Sequence, residues 1–282
     1  MRSLQKIITV LIIALAVNAN AQEIGIQMGS MRQMFSKGMP ATLAYMKELG
    51  ITEIEGGVPR NMDREEYKKL LKKYDLKIVS TGIGFPHLQH PDSIAKAISN
   101  AKDLGASFVT CFWIPHDGDN VTFDDIKNAV EVFNKAGKQF AESGITFCYH
   151  YHGYEFREYG EGKKTMFEYI MDNTRPEWVS FQMDVFWIKN PGQDPAALLR
   201  KYPTRWKSLH LKDRRHGTPN TDNGRQDKES NVVLGTGDVN IAEVMKAARE
   251  IGVKHYFIED ESSRALEQVP QSIAYLKSLR KK

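Results

Sequence analysis

Histidines and carboxylates stand near the ends of short apolar runs in the second half of the chain. His150 and His152 close one such run, and Asp184 closes the next. His210 and Glu259 close two further runs. Imidazole and carboxylate groups together suit Mn²⁺, Co²⁺, Zn²⁺ or Fe²⁺ better than Ca²⁺, which prefers oxygen ligands. Because unpaired charges are costly to bury, such groups pointing into one interior predict a bound divalent cation.

Other residues that follow the remaining runs offer groups for proton transfer or for contact with a substrate. Glu55 and Glu155 each have three interpretations: a base, an acceptor of substrate hydrogen bonds, or an ion-pair partner. His87, His116 and Trp113 are interpreted either as substrate contacts or as wall residues. Whether any of them acts on a substrate depends on the fold that positions them.

The elements that must bring these residues together alternate along the chain. Short β-rich runs predict strands at 24–28, 53–56, 77–82, 107–112, 145–149, 179–183, 208–211 and 255–258. Helical patterns follow them, at 40–49, 63–73, 92–104, 123–143, 165–173, 195–201, 241–251 and 270–279. Eight strands that each precede a helix predict an α/β fold, a (β/α)₈ TIM barrel in a single domain. An open doubly wound sheet is the alternative, but residues 25–30 lack its G-x-G-x-x-G turn.

A parallel barrel places its active site at the carboxyl ends of the strands, where the polar residues described above lie. Side chains at positions i and i+2 of a strand share a face, so His150 and His152 point the same way. The same holds for His210 with Lys212. Residues 213–231 form a long polar loop after the seventh strand, which we call the lid loop because a loop of this length predicts a lid or a binding loop.

The first residues predict an export signal. Arg2 and Lys6 precede an apolar run at 7–17, and an Ala-Asn-Ala cleavage site lies at 19–21. The run has about 11 residues, short of the roughly 20 that span a bilayer, although an uncleaved anchor is the alternative. We therefore expect a signal peptide at 1–21, a catalytic domain at 22–282, and a periplasmic or secreted protein without stable membrane insertion.

The charge of the chain bears on nucleic-acid binding, and its two cysteines bear on disulfide formation. The net charge of +4 is small, and no basic patch predicts nucleic-acid binding. Cys111 and Cys148 both lie in apolar runs, which favours two buried thiols, although export would permit a disulfide. The sequence leaves the oligomeric state open, and a homo-oligomer is compatible with it.

The chain resembles the xylose isomerase-like TIM barrels grouped as sugar phosphate isomerases/epimerases, in particular their exported bacterial members. The resemblance covers essentially all of the chain after residue 21. Seven segments in this order carry it: IEG at 54–56, STGIGF at 80–85, YHYHGYEF at 149–156, MDVFW at 183–187, HLKD at 210–213, LGTGD at 234–238 and FIED at 257–260. Each segment is weak alone, and their order is what makes the resemblance specific.

The resemblance implies a metal site and a sugar site. Carried over, the metal ligands are His150, Asp184, His210 and Glu259. The expected proton carriers are Glu155, His152 and Glu259, and the expected substrate contacts are Glu55, His87, Trp113, Trp187 and Lys212. The chain departs from related enzymes at three positions: many epimerases have Glu in place of His150 and His in place of Trp187, and this branch usually has Asn in place of Tyr151.

The function implied is proton transfer on a sugar, assisted by the metal. A divalent ion polarises a carbonyl, a nearby base removes the adjacent proton, and return of the proton gives an isomer or an epimer. Export favours a non-phosphorylated keto-sugar as the substrate. The alternative is a lyase or hydrolase that acts on 3-keto-glycosides by β-elimination. Less favoured are a nuclease of the endonuclease IV type and a non-catalytic carbohydrate-binding protein.

Overall fold

A computed structural model describes residues 23–162 and 164–280. In this part of the chain eight parallel strands close into a barrel, each paired with its neighbours in sequence and the first paired with the last. The strands are β1 (Glu23–Gln27), β2 (Glu53–Glu55), β3 (Lys77–Gly82), β4 (Phe108–Cys111), β5 (Thr146–His150), β6 (Val179–Asp184), β7 (Trp206–Leu211) and β8 (His255–Ile258). The predicted (β/α)₈ barrel is therefore confirmed, and each predicted strand overlaps one of these.

Helices surround the barrel and form the outer layer. They are α1 (Met39–Leu49), α2 (Arg64–Tyr74), α3 (Pro91–Leu104), α4 (Phe123–Glu142), α5 (Met166–Asn173), α6 (Val185–Lys189), α7 (Pro195–Lys201), α8 (Ile241–Glu250) and α9 (Ala265–Leu279). Side chains at several helix starts satisfy free backbone N–H groups. Thr122 and Thr165 each form a capping box with the acidic residue three positions later. These caps fix where α4 and α5 begin and therefore how they follow the preceding loops.

The predicted start of the last helix was wrong. The helical pattern predicted a start at residue 270, a residue type that is favoured in the first turn because proline lacks the N–H that a helix interior uses. The helix begins at Ala265 instead, and Pro270 lies inside it. Val269 and Ile273 on either side are buried against the core, and this packing keeps the helix continuous across the proline.

The core lies between the strands and the helices. Large aromatic side chains of β5, β6 and α4 fill it on one side, where Phe133 contacts both Phe147 and Tyr149. Cys111 and Cys148 are buried free thiols, as expected, and burial raises the pKa of Cys111 to about 12. The packed layer holds the strands in register and leaves their carboxyl ends open for a site.

Two short pairs of antiparallel strands lie in the loops outside the barrel. Asp213–Arg214 pairs with Asn231–Val232 and closes the base of the lid loop, and Glu158–Tyr159 pairs with Lys164–Thr165. The predicted signal peptide at 1–21 lies outside the described residues. Within 23–162 and 164–280, no helix combines the length and the apolar composition needed to cross a bilayer.

Candidate active site and metal centre

The carboxyl ends of β5, β6 and β7 bring three of the four predicted metal ligands to one point. His150, Asp184 and His210 each offer a ligand atom, and these atoms all lie within 4.8 Å of one another. Asp184 Oδ2 is 3.9 Å from His150 Nε2 and 4.0 Å from His210 Nδ1. The strand register explains part of this, since Asp184 is the direct partner of His210. We call these three residues the metal-site triad.

Glu259, the fourth predicted ligand, lies beside the triad. It follows the last residue of β8, and its Oε2 is 3.2 Å from His210 Nδ1. The same oxygen is 3.3 Å from Lys212 Nζ, so Glu259 forms an ion pair in this structure. Burial would raise the pKa of Glu259, but the charges of Lys212 and His210 outweigh it and hold that pKa well below its usual value.

The metal-site triad fits a divalent metal ion. Asp184 Oδ1 accepts hydrogen bonds from Phe186 N at 2.9 Å and Trp187 N at 3.3 Å, which starts α6. Asp184 Oδ2 is buried and has no hydrogen-bond partner among the described residues. A buried oxygen of this kind is costly unless something satisfies it, and it faces two imidazole nitrogens. A cation that prefers mixed nitrogen and oxygen ligands satisfies all three groups.

Burial sets the protonation of the triad. Burial, with the neighbouring His210, lowers the pKa of His150 to about 4, so this imidazole is in the neutral form that binds metals. Burial raises the pKa of Asp184 to about 7. For His210, burial would lower the pKa, but the carboxylates of Glu55 and Glu259 raise it well above its usual value. A metal ion would therefore compete with a proton at His210.

Glu55 lies beneath the triad rather than in the open site. It is only 1% exposed, and its Oε1 contacts His210 Nε2. Its other oxygen accepts a hydrogen bond of 2.7 Å from Gln182 Nε2. Burial would raise the pKa of Glu55, but the charge and hydrogen bond of His210 outweigh burial and lower it. Glu55 was expected to contact substrate, whereas here it supports a histidine.

A cavity of about 560 Å³ opens above the triad. It is large enough for a small-molecule ligand. Trp113 and Trp187, two of the expected substrate contacts, are part of its wall. The lining residues are Gln27, Phe112, Trp113, His150, His152, Trp187, His210, Gly224, Arg225, Gln226, Lys228, Glu259 and Glu261. Four of these, at 224–226 and 228, belong to the lid loop, which therefore does lie over the site.

Lys212, another expected substrate contact, is a buried cation next to the cavity and is not among the residues that line it. Its Nζ is 3.3 Å from Glu259 Oε2 and 2.5 Å from Glu261 Oε2. It also lies over the rings of Phe186 and Trp187, at 5.3 and 5.4 Å from their centroids. Burial alone would lower the pKa of Lys212, but the surrounding carboxylates raise it. Lys212 therefore carries a positive charge next to Glu259.

His152 and Glu155 occupy different layers of the site. The ring of His152 lines the cavity between Trp113 and Trp187, with centroid distances of 5.1 and 5.7 Å. Burial lowers the pKa of His152 well below its usual value. Glu155 is fully buried behind it and accepts hydrogen bonds from Tyr149 OH at 2.5 Å and His152 N at 3.2 Å. Glu155 is therefore placed to hold the loop that carries His152.

The remaining predicted contact, His87, lies apart from these residues. It is exposed in the 3₁₀ helix Phe85–Gln89 and is not among the residues that line the cavity. Three residues of the site were not predicted from the sequence: Gln27, Phe112 and Gln182. Gln27 ends β1, and Phe112 directly follows β4, so their positions at strand ends were a usable signal. Gln182 shares a strand face with Asp184, two residues away, which was the signal for it.

Comparison with known families and structures agrees with this architecture. A family profile described as "Xylose isomerase-like TIM barrel" matches residues 43–279. A crystal structure of a sugar phosphate isomerase/epimerase from Parabacteroides distasonis ATCC 8503 is 27% identical in sequence, with a TM-score of 0.76. That match covers 91% of this chain and 94% of the other.

Two further relatives are more distant or partial. "Inosose dehydratase 2" of Bacillus cereus is 33% identical over 94 residues, which is 33% of this chain. The match spans only 30% of the length of that curated relative. A crystal structure of an IOLI protein with a binding zinc atom has a TM-score of 0.67 at 13% identity and covers 92% of this chain and 96% of the other, a similarity of fold alone.

Proposed function

Because the chain belongs to the xylose isomerase-like TIM barrel family, we propose that it is a divalent-metal-dependent enzyme that isomerises or epimerises a non-phosphorylated keto-sugar. The observation that carries the proposal is the convergence of His150, Asp184 and His210, with a buried carboxylate oxygen between two imidazoles. A site of this kind at the carboxyl end of a barrel is where metal-assisted chemistry is expected.

Each residue of the site has a distinct role in the proposal. His150, Asp184, His210 and Glu259 would hold the metal ion. When bound, the ion would polarise the sugar carbonyl and stabilise the negative charge of an enediolate. His152, whose ring lines the cavity, would remove or return the proton next to the carbonyl, and Glu259 is the alternative carrier.

The charge of the cavity supports an uncharged sugar as the substrate. Arg225 Nε is 2.5 Å from Asp119 Oδ1, and Lys228 Nζ is 3.0 Å from Glu261 Oε1. The buried Lys212 is likewise paired with carboxylates. Phosphate recognition needs cations that are free to form charge-assisted hydrogen bonds. Within the described lining, each Lys or Arg already has a carboxylate partner, which disfavours a phosphorylated substrate.

A lyase is the second candidate, supported by the similarity to a protein named inosose dehydratase. Elimination begins with the same proton removal next to a carbonyl and continues with loss of a group at the next carbon. For a 3-keto-glycoside that group is the aglycone, and for a keto-sugar it is water. Lys212 is a cation close to Glu259, and its charge would stabilise negative charge on a departing oxygen.

Deuterium exchange tests both candidates together. The metal-loaded protein is incubated in D₂O with a panel of free keto-sugars and 3-keto-glycosides, and NMR follows the carbon next to the carbonyl. We expect deuterium at that carbon in at least one sugar. An isomer or epimer as product supports the first candidate, and an unsaturated sugar with a released group supports the second.

The His210→Ala variant is the matched control because it removes one metal ligand. We expect it to retain less metal and to lose about 100-fold or more in exchange rate, the order of magnitude found when one group that stabilises transition-state charge is removed. Absence of exchange and product with every sugar would contradict both candidates. Sugar binding without turnover would instead support a carbohydrate-binding protein.

A further inference from the structure

A chain of three buried polar side chains lies behind the metal-site triad. Gln182 on β6 stands at its centre, fully buried, and contacts His150, Glu55 and Ser208. We infer that Gln182 is a positioning residue that fixes which nitrogen of each metal-site histidine is free to bind the ion. The inference rests on the metal site of the proposed function and does not depend on which sugar is the substrate.

The neighbours of Gln182 determine the orientation of its amide. The Nε2 end lies 2.7 Å from Glu55 Oε2 and 3.0 Å from Ser208 Oγ. The Glu55 carboxylate accepts hydrogen bonds and has none to donate, so it requires the NH₂ end of the amide. The reversed amide would place two acceptors against each other. The Oε1 end must therefore face β5.

That orientation determines the tautomer of His150. Its Nδ1 is 2.7 Å from Gln182 Oε1, and a carbonyl oxygen only accepts. Nδ1 must therefore carry the hydrogen, which leaves the lone pair on Nε2. Nε2 is the nitrogen that faces Asp184 Oδ2 at 3.9 Å. The histidine thus presents its free nitrogen to the metal position.

The same chain determines the tautomer of His210. Its Nε2 contacts Glu55 Oε1, and a carboxylate partner requires Nε2 to carry a hydrogen. Nδ1 is the remaining nitrogen, and it faces Asp184 Oδ2 at 4.0 Å. It also lies 3.2 Å from Glu259 Oε2, so the hydrogen shared with Glu259 is the one that an ion would displace. Because Gln182 occupies Glu55 Oε2, it also orients the carboxylate that holds His210. One glutamine therefore supports both imidazoles.

Few side chains can replace Gln182 in this role. Glutamate would place a second carboxylate against Glu55. Methionine has a similar length but leaves His150 Nδ1 and Glu55 Oε2 without their partner. Partners behind ligating histidines commonly change metal affinity by about 10–100-fold when they are removed. An imidazole at position 150 has two possible tautomers, so His150 gives this support a specific purpose.

The first test measures metal affinity. The purified chain is stripped of metal, and its affinity for Zn²⁺ is measured by competition with a chromophoric chelator. We expect Gln182→Met to weaken Zn²⁺ binding by about 10–100-fold. Thr174→Val is the matched control, because it also removes a buried hydrogen bond, from Arg205, but at the amino-terminal side of the strands. Equal affinity in Gln182→Met and the unsubstituted protein would overturn the inference.

The second test reads the tautomers directly and needs no variant to fold. Long-range ¹H–¹⁵N NMR of histidine-labelled, Zn²⁺-loaded protein distinguishes the protonated ring nitrogen from the metal-bound one. We expect the hydrogen of His150 on Nδ1 and that of His210 on Nε2. The opposite tautomer at His150 would overturn the inference. Failure to bind Zn²⁺, Mn²⁺ or Co²⁺ would remove both this inference and the proposed metal enzyme, whereas failure to process sugars would remove only the latter.

Discussion

Alternation along β5 explains why two of three consecutive residues reach the site. His150 and His152 line the cavity, whereas Tyr151 between them packs outward against Phe181 and Trp206. The period of two predicted this from the sequence. Tyr151, at which the resemblance implied a departure from the family, therefore lies on the outer face. The position of Glu155 was harder to predict from the sequence. The strand ends before it, and Gly153, whose φ of 91° is left-handed, changes the direction of the chain.

The buried carboxyl group of Glu155 gives a prediction about pH. Burial raises its pKa to about 7, from 4.5 in the unfolded chain. A raised pKa means that the folded protein binds the proton more tightly, so this stabilisation is complete below about pH 4.5 and is lost as the pH rises through 7. Glu155→Gln mimics the protonated form and can keep the bonds that Oε1 accepts from Tyr149 and His152.

We therefore expect Glu155→Gln to match the parent protein in free energy of unfolding near pH 5. Near pH 8.5 the variant should be more stable by about 2 kcal/mol, an order-of-magnitude value for a shift of this size in a buried group. Urea unfolding at the two pH values measures the difference. A variant whose stability follows the parent at both pH values would show that Glu155 is ionised without cost in the fold.

At the scale of elements, the lid loop shows what the sequence could and could not predict. The length of this loop predicted that it would cover the site, and four of its residues do line the cavity. Its anchor was not foreseen: the Asp213 carboxylate accepts hydrogen bonds from the backbone of Arg214, Gly235 and Gly237. A Cβ at Gly237 would lie 2.3 Å from Asp213 Oδ1, so the glycine allows this approach. Only the folded chain brings these residues together.

Side-chain contacts hold the tip of the lid loop against the loop after β4. Asp119 contacts Arg225 at 2.5 Å and Asn223 at 3.2 Å. Behind the tip, Gly224 lies against Tyr154 and Trp113, where a Cβ would come within 2.8 and 3.4 Å of their rings. The contacts of Asp119 are exposed, so each contributes little to global stability, about 0.2–1 kcal/mol. Their loss should instead raise the population of the open loop.

The contacts of Asp119 predict a change in proteolysis within the lid loop. In Asp119→Ala we expect trypsin to cleave after Arg225 roughly fivefold faster, with little change in melting temperature, since about 1 kcal/mol of local contacts is removed. Lys47→Ala is the matched control, because it breaks an exposed ion pair with Asp75 elsewhere on the surface. Equal cleavage rates in the two variants, measured by mass spectrometry, would show that Asp119 does not hold the loop.

Secondary structure outside the strands was predicted less well for physical reasons. The 3₁₀ helix Met28–Lys37 was not predicted, because its mixture of Ser, Arg, Gln and Met has no clear helical period. The five-residue helix α6 is fixed by the cap from Asp184 rather than by a hydrophobic pattern. Tertiary contacts therefore determine where both elements form, as they determine that α9 continues across Pro270.

At the scale of the whole molecule, the barrel carries most of its buried charge at one mouth. Glu55, Asp184 and His210 are each 1% exposed or less, and they come from three different strands. Sequence reasoning predicted that these residues meet, because the carboxyl ends of parallel strands share one edge. It could not predict their distances or the hydrogen bonds behind them. The ion expected here would join strands that lie far apart in the sequence.

Metal binding should therefore stabilise the whole fold. An ion that binds only the folded state adds about 4 kcal/mol to the free energy of unfolding at a free concentration of 1,000 times its Kd. For a domain of this size that corresponds to roughly 10 °C in melting temperature. Melting curves recorded with EDTA and with Zn²⁺, Mn²⁺ or Co²⁺ give the shift. In His210→Ala we expect the shift to fall below about 3 °C.

His255→Ala provides the matched control for this experiment. His255 is also a barrel histidine bound to a glutamate, with Nδ1 at 2.9 Å from Glu53 Oε2, but it begins β8 and so lies at the opposite end of the barrel. Its removal should lower the melting temperature both with and without metal, while the difference between the two conditions persists. If both histidine variants lost the metal-dependent shift equally, the stabilisation would come from general effects on the barrel and not from an ion held at the mouth.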